Sequence, residues 1–304
     1  MSATETDRDQ WLERRRLGIG GSDIAVLMGI STYDTPYGLW LDKTGRKTTQ
    51  KIDYSGRMAM GLRMEPTIGR FFMEDTGFLI RDEQAEVVHI TKDFMRATLD
   101  GYVHDADGYR IGIIEKKCTT QDLVKVMPMY TCQVQWQLAV TGHDKGWLAI
   151  LRNGNDFSIT VIDADPLFQG EMMRVAEDFW VNNVLADVPP DVDGAERTRE
   201  ALNATRPTHG VSKEIPKALV DALKEAKAKK KAWEENLAYA ENAVKALLLD
   251  AEYGTVSNKT VVSWVPRVTH TLDSKALKAE MPEIAAKYGK TTETRVFSIK
   301  EEKS

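Results

Sequence analysis

The sequence predicts an α/β (α+β) fold: a central mixed β-sheet flanked by helices, followed by a long helix and a small strand-containing appendage. Three observations carry this. Helical and strand-like segments alternate up to about residue 190. The Pro-rich polar stretch Val188-Pro189-Pro190-Asp191-Val192-Asp193-Gly194 then breaks the pattern. Beyond it, the chain runs from Pro216 to Gly254 with no intervening Gly or Pro.

Taken in order, Gly18-Ile19-Gly20-Gly21-Ser22-Asp23 reads as a glycine-rich turn. It ends in capping residues for a short apolar helix that Gly29 terminates. A longer helix is expected over 55–77, carrying Met64, Glu65, Phe71 and Phe72, with Gly77 where a left-handed terminal residue belongs. Strands are expected over 86–91, 95–103 and 111–118, the last two forming a hairpin through the turn at Asp107-Gly108. A helix over 129–140, strands over 146–152 and 157–161, and a helix over 166–185 complete this part. The long helix is expected over 216–253, about 55 Å at ~1.5 Å per residue. Its face carries Ala226, Trp233, Leu237, Ala240, Val244 and Leu247, broken by Lys230. Strands over 260–265 and 294–299 flank a short helix over 274–279. The domains expected are therefore 1–190, a linker over 191–212 and an accessory region over 213–304.

Composition narrows the function. With 304 residues, 42% of them hydrophobic, the chain can bury the core of one large domain plus an appendage. No stretch approaches the roughly 20 apolar residues of a membrane helix, and 1–16 is too polar for a signal peptide, so a cytoplasmic protein without membrane contact is expected. Two cysteines, Cys118 and Cys132, exclude a disulfide framework, and the lack of Cys-x-x-Cys argues against structural zinc. A net charge of −5 excludes a broadly basic coat but leaves a local basic groove open.

The most informative residues are Ala97-Thr98-Leu99-Asp100-Gly101 and Ile113-Ile114-Glu115-Lys116-Lys117-Cys118. Alternation along a strand puts Glu115 and Lys117 on one face, and a hairpin would bring Asp100 to the same patch. Two carboxylates and an ammonium at one point suit metal-assisted phosphodiester hydrolysis, with Glu65 as a third carboxylate. A turn signal beside a solvated ion pair is the structural alternative. Apolar Ile113 and Ile114 leading straight into Glu115 favour a bound ion, because charge at the end of an apolar strand is costly.

Asp100 followed by Glu115-x-Lys117 resembles the PD-(D/E)xK nuclease signature. Residues 10–165 more closely resemble the YqaJ-type viral recombinase nucleases, relatives of phage lambda exonuclease. The motifs are Arg16-Leu17-Gly18-Ile19-Gly20-Gly21-Ser22-Asp23, Thr35-Pro36-Tyr37-Gly38-Leu39-Trp40, Gly61-Leu62-Arg63-Met64-Glu65-Pro66, Ala97-Thr98-Leu99-Asp100-Gly101, Glu115-Lys116-Lys117-Cys118 and Gln133-Val134-Gln135-Trp136-Gln137-Leu138. The resemblance implies a restriction-endonuclease-like core. It also implies a 5′–3′ exonuclease on double-stranded DNA that leaves 3′ single strands for an annealing protein or recombinase.

By that resemblance, Asp100, Glu115 and the Lys116 carbonyl hold Mg²⁺, with Mn²⁺ able to substitute. Glu65 serves a second ion, and Lys117 activates water. Arg16, Ser22 and Gln133 would grip the terminal 5′-phosphate, and a homo-oligomer such as a trimer is implied. An endonuclease of the same fold, or a DNA-end or recombinase-binding module with a vestigial site, are the competing readings.

Other signals carry less. Asp105-Ala106-Asp107-Gly108 lacks the closing Glu of a calcium loop. Gly18-x-Gly20-Gly21 has neither dinucleotide nor Walker spacing. His89, His104, His143, His209 and His270 are scattered. Cys118 is expected in the core, Trp136 in packing, and the lysines over 224–231 on a solvated helix face.

Overall fold

The backbone, described by a computed structural model for residues 13–31, 33–47, 56–205, 210–289 and 297–299, divides into two units, Met1–Pro207 and Thr208–Ser304. In the first, α1 (Gly21–Leu27), α2 (Pro36–Lys43) and α3 (Arg57–Thr76) precede β1 (Leu79–Arg81), β2 (Ala85–Val88), β3 (Arg96–Leu99), β4 (Tyr102–His104) and β5 (Arg110–Thr119). Then follow α4 (Leu123–Thr141), β6 (Lys145–Arg152), β7 (Asp156–Asp163), α5 (Pro166–Phe179) and α6 (Glu196–Asn203). A π-helical turn, Trp180–Leu185, prolongs α5 to the expected end of its helix.

Local chemistry sets most of these boundaries. Thr35 caps α2 by accepting the Gly38 N–H, with Pro36 in the first turn. Asp122 and Asp165 cap α4 and α5 in the same way. Gly77 and Gly142 end α3 and α4 in the left-handed conformation.

Five strands form one mixed sheet in the order β1-β4-β5-β6-β7. Only β5 and β6 are parallel, with Glu115 opposite Leu148, and α4 connects them. Alternation along β5 sends Ile113 into the larger core and Ile114 into the smaller. The larger core gathers Ile24, Trp40, Leu99, Trp136 and Leu148 on the α4 side, and the smaller gathers Ile68, Phe72, Val103 and Trp147 on the α3 side. This is the mixed sheet between helices that the sequence predicts.

The single strand expected over 95–103 is in fact two. β3 pairs with β2 in a separate two-stranded ribbon, while β4 pairs with β5. The chain breaks at Asp100-Gly101, where Gly101 has φ +154° and a Cβ would come within 2.4 Å of the Ile80 side chain. Only glycine allows this crossing from ribbon to sheet.

Three further differences concern the ends of elements and a linker. Ser22 lies inside α1 and Gly20 is the cap. Where a linker is expected over 191–212, α6 folds against α2, with Ala201 and Thr198 buried and the Thr198 hydroxyl 2.7 Å from that of Thr35. Cys118, expected in the core, is exposed, because β5 turns its last outward side chain to solvent there.

In the second unit, α7 (Lys217–Leu248) is followed by the hairpin β8 (Tyr253–Val256) and β9 (Lys259–Ser263), then α8 (Ser274–Glu280) and α9 (Pro282–Tyr288). α7 stops short of residue 253 because Leu249 takes φ +47° and the chain turns into β8. Ser257 and Asn258, both at positive φ, make the two-residue hairpin turn. Lys229, Lys230 and Lys231 each pair with a glutamate four residues away, which is the solvated-face reading of that run. Residues 297–299 form no strand, and 294–296, like His209, lie outside the described residues. No described helix is long and apolar enough to cross a membrane.

Candidate functional site

Two pieces of backbone meet where the ribbon gives way to the sheet. The Lys116 N–H donates to Oδ2 of Asp100 at 2.7 Å, which joins the ribbon-to-sheet crossing directly to β5. Glu115, one residue before, is 3% exposed and faces α4. There Gln133 and Gln137, one helical turn apart, each donate an amide N–H to one of its oxygens, at 2.7 and 2.6 Å. Lys117, on the same face, forms an ion pair with Glu115, and its ammonium lies 5.4 Å from the centre of the Tyr130 ring. The structure thus brings together Asp100, Glu115, Lys117 and Gln133.

The electrostatics follow from burial and from these neighbours. Burial, reinforced by the charge of Glu115, pushes the Asp100 carboxyl up to about 8. Burial alone would lower the Lys117 ammonium, but Glu115 outweighs it and holds Lys117 above the ordinary lysine range. Glu65, on α3, approaches from the other face of the sheet. Burial raises its carboxyl, Lys116 opposes the rise and Glu115 adds to it. Lys116 itself is buried, with its ammonium 3.1 Å from a Glu83 oxygen.

A cleft of about 310 Å³ opens beside this cluster. The turn before α1, the β2–β3 ribbon and the two glutamines of α4 line it. The turn docks on β3 because the Ile19 N–H donates to the Phe94 carbonyl, and the Arg96 N–H to the Ile19 carbonyl. Gly21 is needed here, since a Cβ would come within 2.8 Å of the Gln133 side chain.

Ser22 and Gln133 line the cleft, and Arg16 does not; the arginines that line it are Arg14, Arg15 and Arg96. Nη2 of Arg15 donates to Ser22 Oγ and to Asp23 Oδ1, both at 3.1 Å, whereas Arg16 pairs with Glu13. The sequence reading missed Arg15, Gln137 and the pair Asp23–Lys43. One signal for the pair was available: Lys43 follows Leu39 and Trp40 by four and three positions, which sets a lysine on an apolar helix face.

Among the described residues, no group of three or more His, Cys, Asp or Glu stands ready as a metal cage. The donor chemistry nonetheless suits a hard cation. Asp100 and Glu115 are neighbouring carboxylates in a poorly hydrated place, where burial and the charge of Glu115 raise the Asp100 carboxyl and a cation would relieve both. Gln137 adds a second indication. Its nitrogen faces two acceptors, Glu115 Oε2 and the Thr98 carbonyl, which fixes the amide orientation. Its Oε1 is buried with no donor among the described residues, and an ion-bound water would supply one.

The model of the YqaJ-like viral recombinase domain matches residues 10–144. Protein YqaJ of Bacillus subtilis (strain 168) is 30% identical over 314 residues, an alignment spanning 98% of this chain and 96% of that protein. Among solved structures, an alkaline exonuclease from Laribacter hongkongensis is 23% identical, covers 59% of this chain and 94% of its own, and has a TM-score of 0.48. A phage-related exonuclease from Haemophilus somnus 129PT is 13% identical, covers 56% and 96%, and has a TM-score of 0.40.

Proposed function

Because the chain belongs to the YqaJ-like viral recombinase domain family, we propose that it is a metal-dependent deoxyribonuclease. In this reading it digests double-stranded DNA from a 5′ end and leaves 3′ single strands for an annealing protein or recombinase. The observation that carries the reading is the meeting of Asp100, Glu115 and Lys117 at the crossing from ribbon to sheet, next to a cleft lined by arginines.

Asp100, Glu115 and the Lys116 carbonyl would hold Mg²⁺ or Mn²⁺, with Glu65 placed to serve a second ion. When bound, the ion supplies a Lewis acid for the scissile phosphate and lowers the pKa of its water. The remaining roles fall to the chain itself. Gln133 and Gln137 keep the Glu115 carboxylate in one orientation. Lys117 stays an ammonium while Glu115 is beside it, so it acts first as a hydrogen-bond donor that orients water. Arg14, Arg15 and Arg96 line the cleft and favour the anionic strand.

The test uses end-labelled linear duplex and covalently closed circles, each with Mg²⁺ or with EDTA. Linear duplex degraded from its ends only with the metal, by the wild type and not by Asp100→Ala or Glu115→Ala, is the expected result. Rapid nicking of closed circles would favour an endonuclease instead.

A further inference from the structure

The apolar face of α7 has no part in the site and lies largely bare. From Leu219 to Leu247, the positions reached by alternate steps of four and three are all apolar except Lys230. Trp233 is 74% exposed, Leu237 60% and Leu247 88%, while Leu223 is half-buried. A stripe confined to those positions is the narrow seam of a coiled coil, whereas a helix resting on a globular core shows a wider one. Sustained over about four heptads, it fits a second helix of similar length.

The order of side chains along the seam chooses the partner and its direction. In a parallel pair of copies each seam residue meets its own counterpart. Lys230 would then face Lys230, two Trp233 rings would crowd one layer, and Ala226 and Ala240 would leave gaps, against which Lys229 beside Glu234 is the one gain. Run antiparallel about a twofold axis between Lys231 and Ala232, the same residues fit. Leu237 meets Ala226 and Leu223 meets Ala240, large against small in each layer. Lys230 meets Trp233, an ammonium against an indole, and its charge is already offset by a Glu234 oxygen 3.5 Å away on its own helix. At the edge of the seam Lys227 meets Glu234 of the second copy. Lys227 is free for this: Lys229, Lys230 and Lys231 each have a glutamate on their own helix, whereas the contact that Lys227 makes among the described residues is with the Phe297 ring, 5.9 Å away. Symmetry makes every one of these contacts twice.

We propose that α7 is a dimerisation helix that pairs antiparallel with α7 of a second copy of this chain, with Lys230 against Trp233 at its centre and Lys227 against Glu234 at its rim. The pairing gives the long helix the cover that its own unit does not supply, and it joins two copies of the chain in one assembly. It stands apart from the nuclease reading, because no residue of the cleft enters it.

The experiment weighs the full-length protein without DNA, by light scattering during size exclusion over a range of concentration. Leu237→Glu, at an exposed position, should keep its helix content by circular dichroism yet lower the molar mass about twofold, since it puts a charge into two layers of the seam. Lys227→Glu should weaken association about tenfold, as for two exposed charge pairs turned repulsive, and adding Glu234→Lys should recover most of the loss. Lys229→Glu, which faces Asn236 in the antiparallel pair, should change little. If Leu237→Glu fails to fold, the exposed Lys227 and Glu234 variants still decide the matter. A molar mass that Leu237→Glu leaves unaltered would overturn the inference and give the face to another protein or to DNA. A harmless Lys227→Glu beside a disruptive Lys229→Glu would mean parallel helices and overturn it as well. No readout involves cleavage, so this inference and the nuclease reading stand or fall separately.

Discussion

Gln137 donates a 2.6 Å hydrogen bond to Glu115, so a helix on one face of the sheet sets the orientation of a carboxylate on the strand beneath it. Gln137→Leu keeps the volume and removes the donor. By analogy with other residues that orient metal ligands, it should lower metal affinity or turnover roughly 10- to 100-fold. A titration of hydrolysis rate against Mg²⁺ reads this, and an unchanged curve would mean that Glu115 needs no such support.

Asp100 should cost the metal-free protein stability. Its folded pKa, about 8, lies above the ordinary 3.8, so the fold favours the protonated form. The sign follows: its contribution is fully present below 3.8 and is lost as pH rises toward about 8. Asp100→Asn should therefore melt above the wild type in EDTA, with a gap that widens over that range, yet cut no DNA. Mg²⁺ should raise the wild-type midpoint and narrow the gap. A gap that does not change with pH would contradict the buried-carboxylate account.

Lys117→Ala should abolish turnover while leaving affinity for duplex DNA in Ca²⁺ largely intact, because the proposed work of this ammonium is on water. Anisotropy and a cleavage assay on the same preparation separate the two. A variant that binds poorly but cuts what it binds at the normal rate would assign Lys117 to DNA binding.

Asp23 behaves in the opposite sense to Asp100. Burial would raise its carboxyl, but Lys43 and Arg15 outweigh that and hold it below the ordinary 3.8. Its stabilisation is present above 3.8 and lost as pH falls through the lower folded value. At neutral pH, Asp23→Asn leaves Lys43 buried without its counter-charge and should cost about 3 to 5 kcal/mol by denaturant titration. The difference from wild type should shrink below 3.8, and a difference that grows there would refute the assignment.

A chain ending at Pro207 should fold and keep metal-dependent hydrolysis of short duplexes, because every proposed catalytic group lies within Met1–Pro207. One ending at Asp191 removes α6, and with it the buried Ala201 and the Thr198–Thr35 hydrogen bond, so it should melt lower. Circular dichroism and an end-labelled cleavage assay check both. A folded chain ending at Pro207 that cuts no DNA would place part of the active nuclease in 208–304.

The sequence by itself determined most of the element order and put Glu115 and Lys117 on one face of a strand. Capping residues, terminal glycines and strand alternation act within a few residues, so 55–77, 111–118 and 146–152 could be read from local pattern. Only the tertiary structure decided the rest, because it depends on contacts between residues far apart in the chain. Nothing local to 95–103 says that Gly101 meets Ile80 and splits one strand between two sheets. Nothing in Arg14-Arg15-Arg16 says that Arg14 and Arg15 reach the cleft while Arg16 does not. Arg15 is held from Lys43, 28 residues away, whose buried ammonium takes the Arg15 carbonyl and, through Asp23, its guanidinium. A buried charge has to find its partners wherever the fold brings them, and only the folded chain fixes which those are.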